Sequence, residues 1–134
     1  MPLYLCNATT GAIPDSAKPA IAKDITRIHC DVTGAPAQFV HAFFVENEAN
    51  PPLGGKSAMV FGSIRANRTD AQKSQIIEAV RKSIQTHAGL SLDNIGMMTT
   101  DVPASWAFEG GEIMPEPGEE AAWLLRHHRA NAPD

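Results

Sequence analysis

A strand–helix–strand pattern that occurs twice constrains the fold of this chain more than any other feature. In the first copy, the apolar runs 3–8 and 38–45 predict two strands. Between them, Asp15 or Ser16 is the expected N-cap of a helix. Apolar residues at the spacing of one helical face mark the body of that helix: Ile21, Ile25, Ile28 and Val32.

The second copy begins about 55 residues later, with an apolar run at 58–64 that predicts a strand. Thr69 and Gln72 have the spacing of a capping box and predict the start of a second helix. Gly89 is expected to end this helix, and the run 95–99 predicts the last strand. The chain therefore carries two consecutive β-α-β units.

Two such units predict an α/β (α+β) fold, in which a four-stranded sheet carries two helices on one face. The two strands of each unit should run parallel, because a helical crossover connects them. We expect a single domain over 2–134, with the units at about 2–46 and 58–100 and a C-terminal extension at 101–134. The extension combines a glutamate-rich loop with a short helix at about 119–129.

The predicted strands are apolar on both faces, which bears on assembly. The run 39–45 and much of 59–64 have apolar residues at even and odd positions alike, and strands of this kind are buried on both sides. Two helices cover only one face of a four-stranded sheet. We therefore predict that further copies of the chain cover the other face in a homo-oligomer. His41 is then expected in the core or at an interface.

Composition excludes several classes of protein. A net charge of −4 disfavours a nonspecific nucleic-acid binder, which needs a basic surface. No apolar run approaches the roughly 18 residues of a membrane span, and the first residues do not resemble a signal peptide. Cys6 and Cys30 are expected to be free thiols in the cytoplasm. The His, Cys and acidic residues do not have metal-site spacing.

Pro2 is expected to become the N-terminus, because an initiator methionine before a small residue is normally removed. Its free secondary amine would then directly precede a strand. A terminal amine has an ordinary pKa of about 7.7–8.0 and therefore titrates near neutral pH, which suits a catalytic acid or base. Alternatively, the proline is only a processing signal.

Arg65 and Arg68 bracket the predicted junction between the third strand and the second helix. A helix N-terminus carries partial positive charge, so two cations there oppose the helix dipole unless an anion lies between them. Guanidinium groups bind carboxylates and phosphates through paired hydrogen bonds. The pair therefore indicates a small-anion site, and two solvated surface arginines are the alternative.

His29 and Glu109 are two further candidates. His29 lies at the border of the apolar face of the first helix. It is either a histidine at the edge of the core or part of a functional site. Glu109 follows Trp106 and Phe108, and partial desolvation would raise the pKa of its carboxyl and suit acid–base chemistry. Alternatively, Glu109 has no such role and is one of the glutamates of an acidic loop.

Together these residues resemble the tautomerase superfamily, and within it the cis-3-chloroacrylic acid dehalogenase group. The similarity runs from Pro2 to about Trp123. It rests on four features: Pro2 before a strand, His29 late in the first helix, the segment Arg65-Ala66-Asn67-Arg68, and Glu109 before Met114-Pro115-Glu116-Pro117-Gly118.

The resemblance implies β-α-β repeats assembled as a homotrimer, and an enzyme that uses no cofactor or metal. It implies that Pro2 is the catalytic acid or base and that Glu109 orients or activates water. It also implies that Arg65 and Arg68 bind a small carboxylate substrate, with His29 assisting.

Two reactions share this apparatus: tautomerisation of keto/enol or α,β-unsaturated carboxylates, and hydration or dehalogenation of haloacrylate-type or acetylenic acids. The dehalogenases have a tyrosine where this chain has Met98, and a thioether donates no hydrogen bond. Tautomerisation is therefore favoured. A non-catalytic trimeric carboxylate-binding protein is the remaining alternative.

Overall fold

The strands and helices were assigned in a computed structural model, which describes residues 2–46, 53–116 and 118–131. In chain order they are β1 (Leu3–Ala8), α1 (Lys18–Thr33), β2 (His41–Glu46), β3 (Ala58–Arg65), α2 (Asp70–Ala88), β4 (Ile95–Val102), β5 (Phe108–Glu109), β6 (Glu112–Ile113) and α3 (Glu120–Asn131). Most of the segment that links the two units, 47–52, lies outside the described residues.

The main sheet has the strand order β2-β1-β3-β4. β1 pairs in parallel with β2, and β3 with β4, so each unit forms one half of the sheet. The halves join through β1 and β3, which are antiparallel, with Leu3 opposite Ser63. The predicted sheet of two β-α-β units is therefore confirmed.

The core lies between this sheet and the two long helices, which pack side by side. Alternate residues of β1 and β3 are buried beneath them, as period-two alternation requires. The helices contribute the apolar positions that the 3.6-residue period predicts: Ile21, Ile25, Ile28, Ile76, Val80 and Ile84. Both cysteines are free, with Cys6 buried and Cys30 half-buried.

The start of α1 differs from the prediction. The helix begins at Lys18, its N-cap position is Ala17, and no side chain caps it, so the predicted cap at Asp15 or Ser16 is wrong. Asp15 instead pairs with Lys18 across 2.5 Å. Pro19 lies in the first turn, where its missing N–H costs no hydrogen bond.

The strand boundaries also differ. β2 begins at His41 because residues 37–39 form a short 3₁₀ turn, and β4 extends to Val102. The acidic loop contains the small hairpin β5–β6, in which Glu109 lies opposite Glu112. Two-residue strands carry no readable periodicity, so the sequence did not indicate this hairpin.

The sheet face that points away from the helices stays partly exposed in a single chain. Phe43 and Met98 are each more than half exposed, while their neighbours Phe44 and Met97 pack against the core. This exposed face is where we predicted that other copies pack. Within the described segments, no helix combines the length and apolar character needed to cross a membrane.

The capping box at the start of α2 is formed as predicted. The Thr69 hydroxyl accepts a hydrogen bond from the Gln72 backbone N–H at 3.1 Å, and the Gln72 side chain accepts one from the Thr69 N–H at 2.9 Å.

We expect Thr69→Ala to lower the free energy of unfolding by about 1 kcal/mol, measured by urea denaturation. Thr69→Ser keeps the hydroxyl and should lose less; equal losses would contradict a capping role.

Candidate active site

Arg65 and Arg68 are buried rather than solvated. Arg65 ends β3, and the chain turns into α2 through Asn67, whose φ of 77° is one that asparagine tolerates better than most residues. The side chain of Arg65 is 3% exposed and that of Arg68 is 7% exposed. Two buried guanidinium groups need a counter-charge, so the alternative of two surface arginines is excluded.

Glu120, the first residue of α3, supplies part of that counter-charge. Its Oε1 lies 3.2 Å from Arg68 Nη2 and 3.6 Å from Arg65 Nη1, and its side chain is 8% exposed. Its Oε2 accepts a hydrogen bond from the Gly118 backbone N–H at 2.7 Å. Sequence reasoning did not single out Glu120, because four other glutamates lie in the same acidic stretch.

Both arginines retain donors without an acceptor. Arg65 Nη1 donates to the carbonyl of Pro115 at 2.8 Å, and Arg68 Nη1 donates to the carbonyl of Thr33 at 3.3 Å. Among the described residues, nothing accepts from Arg65 Nε, Arg65 Nη2 or Arg68 Nε, although all three are buried. Buried donors left unpaired are unfavourable, so the geometry suits an additional anion.

Aromatic packing holds α3 over the arginines. Arg65 Cζ lies 5.2 Å from the centroid of the Phe39 ring, and Phe39 packs edge-on against Trp123 with ring centroids 5.5 Å apart. Trp123 also donates from Nε1 to the carbonyl of Ile113 at 2.9 Å. Glu120 and Trp123 are three residues apart and share a helix face, so the packing of Trp123 sets the position of Glu120.

His29 is buried beside this charged group and bonded to Tyr4. The Tyr4 hydroxyl lies 2.6 Å from His29 Nδ1. Burial lowers the pKa of His29 to about 3, and the positive charges of Arg68, the chain terminus and Arg65 act in the same direction. Burial also raises the pKa of Tyr4. Both groups are therefore neutral near pH 7, and the hydroxyl donates to Nδ1, which leaves the ring proton on Nε2.

Pro2 is buried at the entry to β1. Its carbonyl accepts a hydrogen bond from the His41 backbone N–H at 3.0 Å, which extends the pairing of β1 and β2 to the start of the chain. Tyr4, two residues further along β1, is bonded to His29. The start of β1 and His29 therefore lie close together.

Glu109 lies on the hairpin and is paired with His41. His41 Nε2 is 2.9 Å from Glu109 Oε1, and since a carboxylate only accepts, the ring donates. Burial lowers the pKa of Arg65. The negative charge of Glu120 and, to a smaller extent, that of Glu109 act in the opposite direction, so Glu109 lies within electrostatic reach of Arg65. His41 is 43% exposed in the single chain and is therefore not a core residue there.

The fold thus brings all five predicted site residues to one end of the sheet: Pro2, His29, Arg65, Arg68 and Glu109. Tyr4, His41 and Glu120 join them. Tyr4 was visible only as part of the opening Met1-Pro2-Leu3-Tyr4, and nothing local in the sequence links it to His29. Among the described side chains, no group of three His, Cys, Asp or Glu residues could hold a metal ion.

Residues 1–128 match the family model described as putative oxalocrotonate tautomerase enzyme. No curated protein matches the chain. The solved structure of the protein Ps01740 is 32% identical with a TM-score of 0.73, over 80% of this chain and 99% of that one.

Two further structures resemble the chain. The protein N1, a member of the cis-3-chloroacrylic acid dehalogenase family, is 26% identical with a TM-score of 0.81, over 98% of this chain and 92% of its own. The R7 fused 4-OT, solved as an asymmetric trimer, is 26% identical with a TM-score of 0.69, over 90% of this chain and 98% of its own. Since the family model spans nearly the whole chain, the protein belongs to the tautomerase superfamily and has relatives in the cis-3-chloroacrylic acid dehalogenase group.

Proposed function

We propose that this protein is a cofactor-independent cytoplasmic enzyme that uses the Pro2 amine, freed by removal of Met1, to transfer protons on small keto/enol or α,β-unsaturated carboxylates. Tautomerisation is the favoured reaction. The observation that carries the proposal is the buried pair Arg65 and Arg68, which keeps three nitrogen donors without an acceptor among the described residues and lies close enough to His29 to affect its pKa.

In this proposal, Arg65 and Arg68 bind the carboxylate of the substrate and polarise the conjugated system. Burial and the neighbouring cations favour the neutral form of the Pro2 amine. A neutral amine is a base, and it moves a proton between carbon and oxygen of the bound substrate. His29 stays neutral, so its Nε2–H is a hydrogen-bond donor to the substrate rather than a competing cation.

Hydration or dehalogenation is the second candidate, and the bond between His41 and Glu109 favours it. A carboxylate fixed at 2.9 Å from an imidazole and within reach of the charge of Arg65 is oriented to activate a water molecule. Protonated Pro2 would then deliver the proton to the adjacent carbon. Met98 in place of the family tyrosine argues against this reaction.

We further propose a homotrimer. The R7 fused 4-OT relative was solved as a trimer, and the exposed apolar side chains Phe43 and Met98 lie on the sheet face that the helices leave open. A trimer that binds carboxylates without turnover is the non-catalytic alternative, and the Pro2 variant below separates it from an enzyme.

Pro2→Ala should lower kcat/KM for phenylpyruvate-type enol conversion by about 100- to 10,000-fold, the range of general acid–base catalysis. Steady-state assays measure the effect, and mass spectrometry verifies that Met1 has been removed from both proteins. If the parent has no such activity, does not react with acetylenic carboxylates, and does not differ from the variant, the protein is not this enzyme.

The protonation state of the amine separates the two reactions. We expect the Pro2 nitrogen of the favoured tautomerase to be largely neutral at pH 7, and NMR titration of protein labelled with ¹⁵N-proline measures its pKa. A pKa well above about 8 would instead support the acid role that hydration requires.

Arg65→Lys keeps the positive charge and loses the planar fork of donors. Because hydrogen bonds to charged groups contribute roughly 1.5–3 kcal/mol, we expect kcat/KM to fall about 10- to 100-fold, mainly through a higher KM. Arg81→Lys is a matched control: Arg81 donates to the carbonyls of Ile95 and Leu92 at 2.8 and 2.7 Å, outside the proposed site. Equal losses of activity in both variants would point to a folding defect.

Stability should depend on pH through His29. Unfolded histidine binds a proton below about 6.5, whereas folded His29 resists protonation down to about 3. The unfolded state therefore binds more protons in this window, and the free energy of unfolding falls with decreasing pH, by up to about 1.4 kcal/mol per pH unit. Denaturant unfolding at several pH values between 7 and 4 measures this dependence, and the free energy of unfolding of His29→Gln should change less with pH than that of the parent. The same dependence on pH in both proteins would contradict a buried neutral imidazole.

A further inference from the structure

Glu120 places a negative charge inside the proposed carboxylate site. We propose that Glu120 is a specificity-determining residue, which reduces the charge of the Arg65–Arg68 pair so that the site binds one carboxylate and discriminates against dicarboxylates. This inference rests on the proposed binding of a substrate carboxylate by the two arginines. It adds the charge class of the substrate and the residue that sets it.

The first argument is the charge of the buried group. Arg65, Arg68 and Glu120 are all more than nine-tenths buried, and both guanidinium groups approach the same carboxylate oxygen. Their sum is a single positive charge. Uncompensated charge is unfavourable where water is excluded. A ligand with one negative charge neutralises the group, whereas a dianion leaves one negative charge uncompensated, so the group should favour the monoanion.

The second argument is the number of free donors. Arg65 Nη1 and Arg68 Nη1 are bonded to backbone carbonyls, and Arg68 Nη2 is bonded to Glu120. This leaves three buried nitrogens without an acceptor among the described residues. One carboxylate has two oxygens with about four acceptor positions, which is enough for all three donors.

Among the described residues, the charges that act on Arg65 and His29 include no further side-chain cation for a second carboxylate. Apart from Arg68, the charges that act on Arg65 belong to Glu120, Glu109 and Glu116, and all are negative. His29 is neutral, because burial and the adjacent cations hold its pKa at about 3. The amine of Pro2 is the other nearby cation when it is protonated, and in the favoured mechanism it is neutral.

Glu120 is held in place independently of any ligand. Its Oε2 is bonded to the Gly118 N–H, and the same helix face is anchored by Trp123 against Phe39. A ligand therefore adds to this carboxylate instead of replacing it. If a ligand did replace Glu120, removing its charge would strengthen the binding of every carboxylate alike, which the experiment distinguishes.

The experiment compares crotonate and fumarate, which share a trans-alkene and differ in carrying one or two carboxylates. Dissociation constants are measured by calorimetry or by competition with the enol substrate, at fixed ionic strength. We expect the wild-type protein to bind crotonate more tightly than fumarate. In Glu120→Gln, the fumarate-to-crotonate ratio of dissociation constants should fall by about tenfold or more, the size expected for one unscreened charge near the ligand.

Glu119→Gln is the matched control. Glu119 is the neighbouring residue and is exposed, so this variant removes the same charge outside the buried group and should leave the ratio unchanged. An unchanged ratio in Glu120→Gln overturns the inference while the proposed function stands. Equal strengthening for both ligands also overturns it. If wild-type protein binds neither ligand and has no Pro2-dependent activity, the proposed function fails.

Circular dichroism and thermal unfolding establish first that Glu120→Gln is folded. If it is not, Glu120→Ala takes its place, since alanine also removes the charge and has a high helix propensity. We then expect a similar fall in the ratio, and an unchanged ratio in that variant overturns the inference equally.

Discussion

Two guanidinium groups buried side by side are the constraint on which the functional end of this protein depends. Without a counter-charge, Arg65 and Arg68 would repel each other where little water screens them. The C-terminal segment supplies that charge through Glu120. The packing of Phe39 against Trp123 holds this carboxylate in place. The segment after β4 is thus part of the site.

Charged and neutral groups take different places around this pair. Tyr4 and His29 form a hydrogen-bonded pair under the helices, and burial next to cations keeps the imidazole neutral. The arginines carry the persistent charge that suits anion binding, while neutral groups and the terminal amine suit proton transfer. A protonated His29 would add to the repulsion between these cations, so the arginines act with burial to keep its pKa low.

Periodicity predicted the elements that long, regular patterns specify. The face of α1 and the capping box at Thr69 are local features, and the structure has them. β3 is buried on both faces, whereas much of β2 is exposed in the single chain, so the cover of that sheet face by other copies stays a prediction. The wrong cap at Asp15 or Ser16 shows the limit of such reasoning. Both residues favour caps, yet Asp15 pairs with Lys18 instead. The helix begins at Lys18 with Pro19 in its first turn, because a preference for a position does not decide between competing partners.

By itself, the sequence determined two β-α-β units, the position of the arginine pair at the start of the second helix, and Pro2 at the entry to the first strand. These follow from side-chain type and spacing along the chain. Only the tertiary structure decided that the arginines are buried, that Tyr4 bonds to His29, and that Glu120 is the glutamate of the acidic stretch that pairs with them. Burial and charge pairing depend on distance and exclusion of water, and residues far apart in the chain determine both.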